Sequence, residues 1–298
     1  MARLLFVHAH PDDETLATGV TIAHYAARGH DVIVLTMTLG EEGEVIPAEL
    51  VHLTEDRDGR LADARRSELA AAVTRLGARQ AFLGADDSSG ETAPGRPRWR
   101  DSGMAGMPSA HHPRAFVNAD PAQAAGLLAA YLREQRPDVV VTYDVGGGYG
   151  HPDHVQTRRV VSAALADLAG PERPALFEIV TPRSWAARDR AWLAAHVPAG
   201  SSLHVPAADE PYAVSVVDDA RVTHVVRDLV ARDVQAAALA AHRTQATVFG
   251  GDHYALSNDV AARLPGREAF VRLDPGTGAP WPEIPDGWVE GLLERDRP

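Results

Sequence analysis

Apolar and polar positions come in blocks along the first half of the chain. Leu4–Val7 is apolar at every position, the pattern of a strand buried on both faces. Glu14–Arg28 follows, with Leu16, Val20, Ile22, Ala23 and Tyr25 at roughly helical spacing, and Gly29 stops it. Val32–Leu39 is rich in β-branched residues and predicts a second strand. Leu61–Leu76, Ala- and Leu-rich and closed by Gly77, predicts a second helix. Ala81–Leu83 reads as a brief strand, Ala122–Glu134 as a helix, and Asp138–Tyr143 (DVVVTY) as the clearest buried strand. Fully apolar strands separated by amphipathic helices imply a parallel sheet covered on both faces, with right-handed crossovers. The expected fold is α/β: a Rossmann-like, doubly wound, mostly parallel sheet.

Past residue 170 the pattern weakens. Leu176–Val180, Tyr212–Val217 and Ala269–Leu273 read as strands and Ala231–His242 as a helix. This divides the chain into a catalytic portion, residues 1–170, and a smaller C-terminal α/β portion, residues 171–298, that completes a substrate cleft. The Pro-rich stretch PGTGAPWPEIPDGW reads as a surface tail. Two connections, residues 40–55 and 84–120, are too long for turns, and loops of that length are usually functional or disordered.

Composition removes whole classes of chemistry. Among 298 residues there are 29 Lys plus Arg against 41 Asp plus Glu, a net charge of −12, which argues against a phosphate-backbone binder and hence against nucleic acid as partner. Cys is absent, so disulfides, thiolate zinc fingers, Fe–S clusters held by the chain and Cys nucleophiles are excluded. Lys is absent too, which excludes Schiff-base, pyridoxal-phosphate and P-loop chemistry. The apolar run in MARLLFVHAHPDDE is too short for a signal-peptide core, and no stretch of about 18 apolar residues occurs. A cytoplasmic location without membrane contact is expected.

The candidate chemistry sits where the first strand ends, at His8-Ala9-His10-Pro11-Asp12-Asp13-Glu14. Open α/β sheets bind ligands outside the carboxyl ends of their strands. A dinucleotide fold would carry G-x-G-x-x-G at this place, and none occurs. The best strand runs into a second polar tract, Tyr143-Asp144-Val145-Gly146-Gly147-Gly148-Tyr149-Gly150-His151-Pro152-Asp153-His154. Pro152 suits the first turn of a helix, which places His151 and His154 on one face.

Both tracts follow strands of one predicted sheet and so face one rim. His10, Asp13 and His154 supply two imidazoles and a carboxylate, a set suited to a divalent metal with a position left open for catalysis. Asp12 is the candidate base and His151 the candidate acid or oxyanion stabiliser, a set complete for hydrolysing an amide. Asp12 and Asp13 could exchange roles, and as a pair they also suit a helix N-cap. His8 shares a side of the strand with His10 and reads as a satisfied histidine beneath the site. Glu41, Glu42 and Glu44 read as a solvated acidic turn, and His111 and His112 as loop residues outside the ligand set. Two His and one Asp also describe non-haem iron oxygenases, which usually sit on β-barrels, and a catalytically dead sugar-binding module is the third class weighed.

The segment HPDDE followed by HPDH resembles the LmbE-like (PIG-L) family of metal-dependent N-acetyl-sugar deacetylases. The likeness extends over LLFVHAHPDDE, GVTIAHYAARG, LTMTLGEEGEVI, WRDSGMAG, VVVTYDVGGGYGHPDH and ALSNDVA. It implies one zinc ion per chain on His10, Asp13 and His154, with Fe(II) able to take the same ligands. It implies Asp12 as general base, His151 as acid or electrostatic stabiliser, and Tyr149 near the developing oxyanion. Arg65 and Asp101 are implied as sugar contacts and Asp153 as an outer residue orienting His151. The implied reaction is removal of acetate from N-acetylglucosaminyl-inositol, a small-molecule amino-sugar conjugate of mycothiol biosynthesis. The alternative is the thiol S-conjugate amidase reaction or a broader N-acetyl-sugar deacetylation; TIAHY and GEEGEVI favour the first.

Overall fold

The apolar run after Met1 forms strand β1 (Arg3–His8), buried at every position except its first, and the chain then alternates as the pattern predicts. In order come α1 (Asp13–Ala27), β2 (Asp31–Thr36), α2 (Ala62–Leu76), β3 (Arg79–Phe82), α3 (Pro121–Gln135) and β4 (Val139–Tyr143). A single turn, α4 (Gly147–Gly150), leads into α5 (Pro152–Ala166), β5 (Ala175–Pro182) and α6 (Arg183–His196). Then follow β6 (Val216–Val217), β7 (His224–Arg227), α7 (Leu229–Leu239), β8 (Thr247–Phe249), β9 (His253–Ala255), β10 (Ala262–Arg263), β11 (Arg267–Leu273) and β12 (Val289–Glu290). This computed structural model describes residues 1–85, 95–283 and 287–293.

The main sheet runs β12-β7-β11-β5-β4-β1-β2-β3, with β6 on the far end of β5. From β3 to β5 all neighbours are parallel. β11 is antiparallel to both β5 and β7, which makes the sheet mixed at that side. Residues 171–298 thus add β5, β11, β7 and β12 to the sheet begun by the first half. A separate antiparallel sheet of β8, β9 and β10 stands outside it.

Alternate side chains of each central strand enter opposite layers. Leu4, Phe6, Val32, Val34, Val139 and Val141 pack with residues of α1, α2 and α7, including Ile22, Leu69 and Ala238. Leu5, Val7, Ile33, Leu35 and Val140 pack on the other side with Leu128, Leu132, Val160, Val161 and Trp185. Two apolar faces explain why these strands read as unbroken runs.

Strand β1 pairs with β2 on one side and β4 on the other, so the chain changes direction across the sheet beside β1. That is a topological switch point, where an α/β sheet opens a crevice. Both polar tracts leave the sheet there.

Two expectations change. Only Val216–Val217 of the stretch 212–217 is a strand, and Val214 is exposed. The ring of Tyr212 instead takes the Arg190 guanidinium at 3.8 Å. The Pro-rich stretch, of which residues 284–286 lie outside the described residues, is not merely a tail. Trp288 packs edge-on against Trp185 with ring centroids 5.2 Å apart and donates to the Asp219 carbonyl at 3.2 Å. Leu292 and Leu293 beyond it are buried.

Glu268 of β11 reaches the middle of α1, accepting from the Val20 N–H at 2.8 Å and the Thr21 N–H at 2.9 Å. Burial, against those bonds, pushes its carboxyl up to about 7 from 4.5. A raised carboxyl favours the folded state at low pH, and that contribution is lost as pH rises from 4.5 through about 7. Over that window wild type is expected to lose stability relative to Glu268→Gln in urea unfolding. Parallel stability–pH curves would contradict it.

Candidate active site

Asp12 precedes α1 with φ 106° and ψ −34°, and its side chain makes no cap bond. Helix capping is therefore not what its carboxylate does. Arg65 of α2, only 3% exposed, donates to the Pro11 carbonyl at 2.6 Å and to Asp12 Oδ2 at 3.2 Å, and also to the Gly40 carbonyl. Asp13 opens α1. Its Oδ2 accepts from the His10 N–H at 2.9 Å and from the Tyr143 hydroxyl at 2.7 Å.

The second tract reaches the same point by a tight turn. Gly147 has φ +65°, and a Cβ there would stand 2.8 Å from the His154 Cβ and from the Val155 nitrogen. Glycine lets the turn press against α5 and aim the Gly147 carbonyl at His154 Nδ1, 3.1 Å away. His151 caps α5, its Nδ1 accepting from the Asp153 N–H at 3.2 Å. The proton of its neutral ring is therefore on Nε2.

Hydrogen-bond partners fix the other two imidazoles as well. A carbonyl only accepts, so His154 carries its proton on Nδ1 and presents a lone pair at Nε2. His10 Nε2 lies 3.3 Å from Asp153 Oδ2 and 3.4 Å from Asp101 Oδ1, so the proton of a neutral His10 sits there and Nδ1 presents its lone pair. These two nitrogens are 3.2 Å apart. Asp13 Oδ2 is 3.3 Å from His10 Nδ1 and 3.2 Å from His154 Nε2. With His10 neutral, two ring lone pairs and one carboxylate oxygen converge here, an arrangement that a cation would satisfy and that a proton on His10 Nδ1 satisfies in its absence. Ligands about 2.0–2.1 Å from a tetrahedral zinc stand roughly 3.3 Å apart, which is this spacing.

Other combinations lie near. His10, His151 and His154 form one group, and His10, Asp101 and Asp153 another, each with ligand atoms within 4.8 Å of one another. In the second group the carboxylates hold loop N–H groups, as Asp13 holds the His10 N–H. Asp101 Oδ1 accepts from the Gly103 N–H at 2.8 Å, and Asp153 Oδ2 from the Ser102 N–H at 2.9 Å. His10, Asp13 and His154 bring two ring nitrogens and one carboxylate oxygen to within 3.2–3.3 Å of one another.

Charge follows the same logic. Burial opposes a charge on His10, but Asp101, Asp13 and Asp153 outweigh it and hold His10 well above the usual imidazole range. Burial opposes the Asp13 carboxylate too, and His154 and His10 outweigh it, holding Asp13 well below the usual range. Burial, only partly offset by Arg65, pushes Asp12 up to about 6. Burial, with the neighbouring rings of His10 and His154, pulls His151 down to about 3, so its ring is neutral near pH 7.

The remaining candidates fall around this centre. Tyr149 is exposed on the rim, its ring edge-on to His154 at 5.0 Å and to His151 at 6.0 Å. Asp101 is buried, bonded to loop N–H groups and close to His10. The Asp153 carboxylate reaches His10, and only its backbone N–H reaches His151. His8 lies beneath, bonded through Nε2 to the Thr18 hydroxyl at 2.9 Å, and burial lowers its pKa to about 4. Of the acidic turn only Glu44 is exposed as expected. Glu41 is buried and accepts from the Asp101 N–H at 2.9 Å, and Glu42 pairs with Arg100 at 2.6 Å. Both brace the loop that carries Asp101. His111 and His112 belong to neither group of ligating side chains found among the described residues.

Tyr143, which opens the second polar tract, has a role at the site that the sequence reading does not assign. Its hydroxyl bridges Asp13 and the Ala9 N–H (2.8 Å), and its ring stacks on His154 at 4.2 Å. The signal available was a polar tip at the carboxyl end of an apolar strand.

Comparison with known proteins gives the family. The family described as PIG-L, GlcNAc-PI de-N-acetylase, matches residues 5–165. A 1D-myo-inositol 2-acetamido-2-deoxy-alpha-D-glucopyranoside deacetylase of Mycobacterium sp. (strain KMS) is 48% identical over 293 residues, covering 98% of this chain and 89% of its own. One of the same name from Thermomonospora curvata is 43% identical over 305 residues, covering 98% and 96%. Among solved structures, N,N'-diacetylchitobiose deacetylase from Pyrococcus horikoshii shares the fold, with a TM-score of 0.50, 17% identity and coverage of 82% and 70%. By its match over more than half its length and its near-full-length relatives, this chain belongs to the PIG-L family of de-N-acetylases.

Proposed function

We propose that the protein hydrolyses the acetamido group of N-acetylglucosaminyl-inositol, releasing acetate and the free amino sugar, at a zinc centre on His10, Asp13 and His154. The observation that carries this is the close triangle of His10, Asp13 and His154 beside a half-buried carboxylate, Asp12, that is not part of it. The names of its relatives, alike along nearly the whole chain, point to the substrate. They favour the deacetylase over the S-conjugate amidase reading.

A bound zinc ion supplies Lewis-acid polarisation of the amide carbonyl and lowers the pKa of water to about 7. The chain does the rest. Asp12 Oδ2 is held by Arg65, which leaves Oδ1 to take the proton of the attacking water. A carboxyl poised near 6 both accepts that proton near pH 7 and returns it. His151 offers Nε2–H to the oxygen on which negative charge grows, and the Tyr149 hydroxyl on the rim closes over the same side. The proton on Asp12 then passes to the departing amine. Arg65 and Asp101 shape the wall that the sugar meets, Arg65 through Asp12 and Asp101 through His10.

The test is acetate release from N-acetylglucosaminyl-inositol before and after chelation. Activity is expected to fall to background on metal removal and to return with zinc, with the thiol conjugate turned over far more slowly. Full activity in the metal-free protein, or preference for the conjugate, would refute the reading.

A further inference from the structure

Asp12 is one of three non-glycine residues with positive φ among the described residues, and at 106° it lies beyond the small left-handed region open to L residues. Such a backbone persists only where the surroundings over-determine it. Arg65 holds the turn from one side through the Pro11 carbonyl. From the other side, Glu14 Oε2 accepts the Asp12 N–H at 3.0 Å. Glu14 is fully buried, and its second oxygen is taken by the Thr15 hydroxyl and, at 2.8 Å, by His242 Nε2. His242 is fully buried too and lies in the turn after α7, 228 residues further along the chain. That turn is itself fixed. The His242 N–H donates to the Leu239 carbonyl, and the His242 carbonyl accepts from Gln245 and Ala246.

From this chain of bonds we infer that His242 is a positioning residue for the reaction: acting through Glu14, it holds the Asp12 backbone in its strained turn and so keeps the Asp12 carboxylate facing the substrate. The inference rests on the reading of Asp12 as proton acceptor given above. Without the His242 donor, the buried Glu14 carboxylate turns to find another partner and releases the Asp12 N–H. The turn then relaxes and the Asp12 carboxylate swings away. Asp13 keeps its own bonds to Tyr143 and the His10 N–H, so the metal triangle survives.

The test compares two side chains. In His242→Gln the amide nitrogen stands where Nε2 stood and still reaches Glu14; in His242→Asn it stands where Nδ1 stood and does not. With N-acetylglucosaminyl-inositol as probe, His242→Asn is expected to lose about 10- to 100-fold in kcat, the scale of a small misplacement of a reacting group, while KM and bound metal stay at wild-type values. His242→Gln recovers most of that loss. Placed on Asp12→Ala, His242→Asn is expected to cost less than about twofold more, because it acts through the group already removed. Undiminished loss in that background, no recovery by Gln, or a loss falling on KM or metal content overturns the inference. Wild-type activity in Asp12→Ala alone would instead overturn the reading of Asp12, a separate result.

Discussion

Asp13→Ala is expected to yield protein that retains almost no metal after dialysis and no measurable deacetylation. In the proposed centre three atoms would hold the cation, and Asp13 Oδ2 is the one that carries charge. Losing it leaves two neutral imidazoles and roughly doubles the net positive charge that the ligand shell must accept. Changes to groups that merely support ligands cost about 10- to 100-fold in metal affinity, so loss of the anionic ligand itself should exceed about 100-fold. The same change strips the Tyr143 hydroxyl and the His10 N–H of their acceptor, and both are buried. Asp13→Asn separates the two effects, because its amide oxygen still accepts those bonds and only the charge is gone. Elemental analysis of both variants, beside unfolding curves, is the measurement. Both should lose metal, and only Asp13→Ala should also lose substantial stability. Metal retained by Asp13→Ala at one ion per chain would take Asp13 out of the ligand set.

The residues around that centre were legible because their types are costly anywhere else. Two histidines and two aspartates at the end of an apolar strand have no bland explanation that covers them all, and a parallel sheet sends both tracts to one rim. The strands β1, β2 and β4 were legible for the related reason that burial on both faces leaves them apolar throughout. What escaped was what depends on a distant partner. Helix α6 buries only Trp185 and Leu193, so its periodicity is faint. Strand β7 is four residues long and gains its place by pairing with β11. Trp288 looks like a residue of a Pro-rich tail until Trp185 supplies its other half. Glu41 and His242 show the same limit at the site. An acidic turn is ordinarily solvated, and a lone histidine near a helix end is ordinarily unremarkable. Only the tertiary fold brings Asp101 over one and Glu14 over the other.

Asp12→Asn should separate binding from catalysis in the opposite sense, losing about 100-fold or more in kcat, the scale of general acid–base catalysis, while metal content stays at the wild-type value. Asn is the informative replacement for two reasons. It tolerates positive φ better than most residues, so the turn at φ 106° is not rebuilt. Its amide oxygen still accepts from Arg65, so the packing of Pro11 and Gly40 against that guanidinium survives. What disappears is the capacity to take a proton from water and hand it on. Because Asp12 stands outside the triangle of His10, Asp13 and His154, the metal has no reason to leave. Because burial no longer holds a carboxyl near 6, the rate that remains should also lose its dependence on pH around that value. Steady-state kinetics across pH 5 to 8 with metal measured on the same samples decides it. A variant that keeps both its metal and its rate would show that the proton goes to another group and would refute the reading of Asp12.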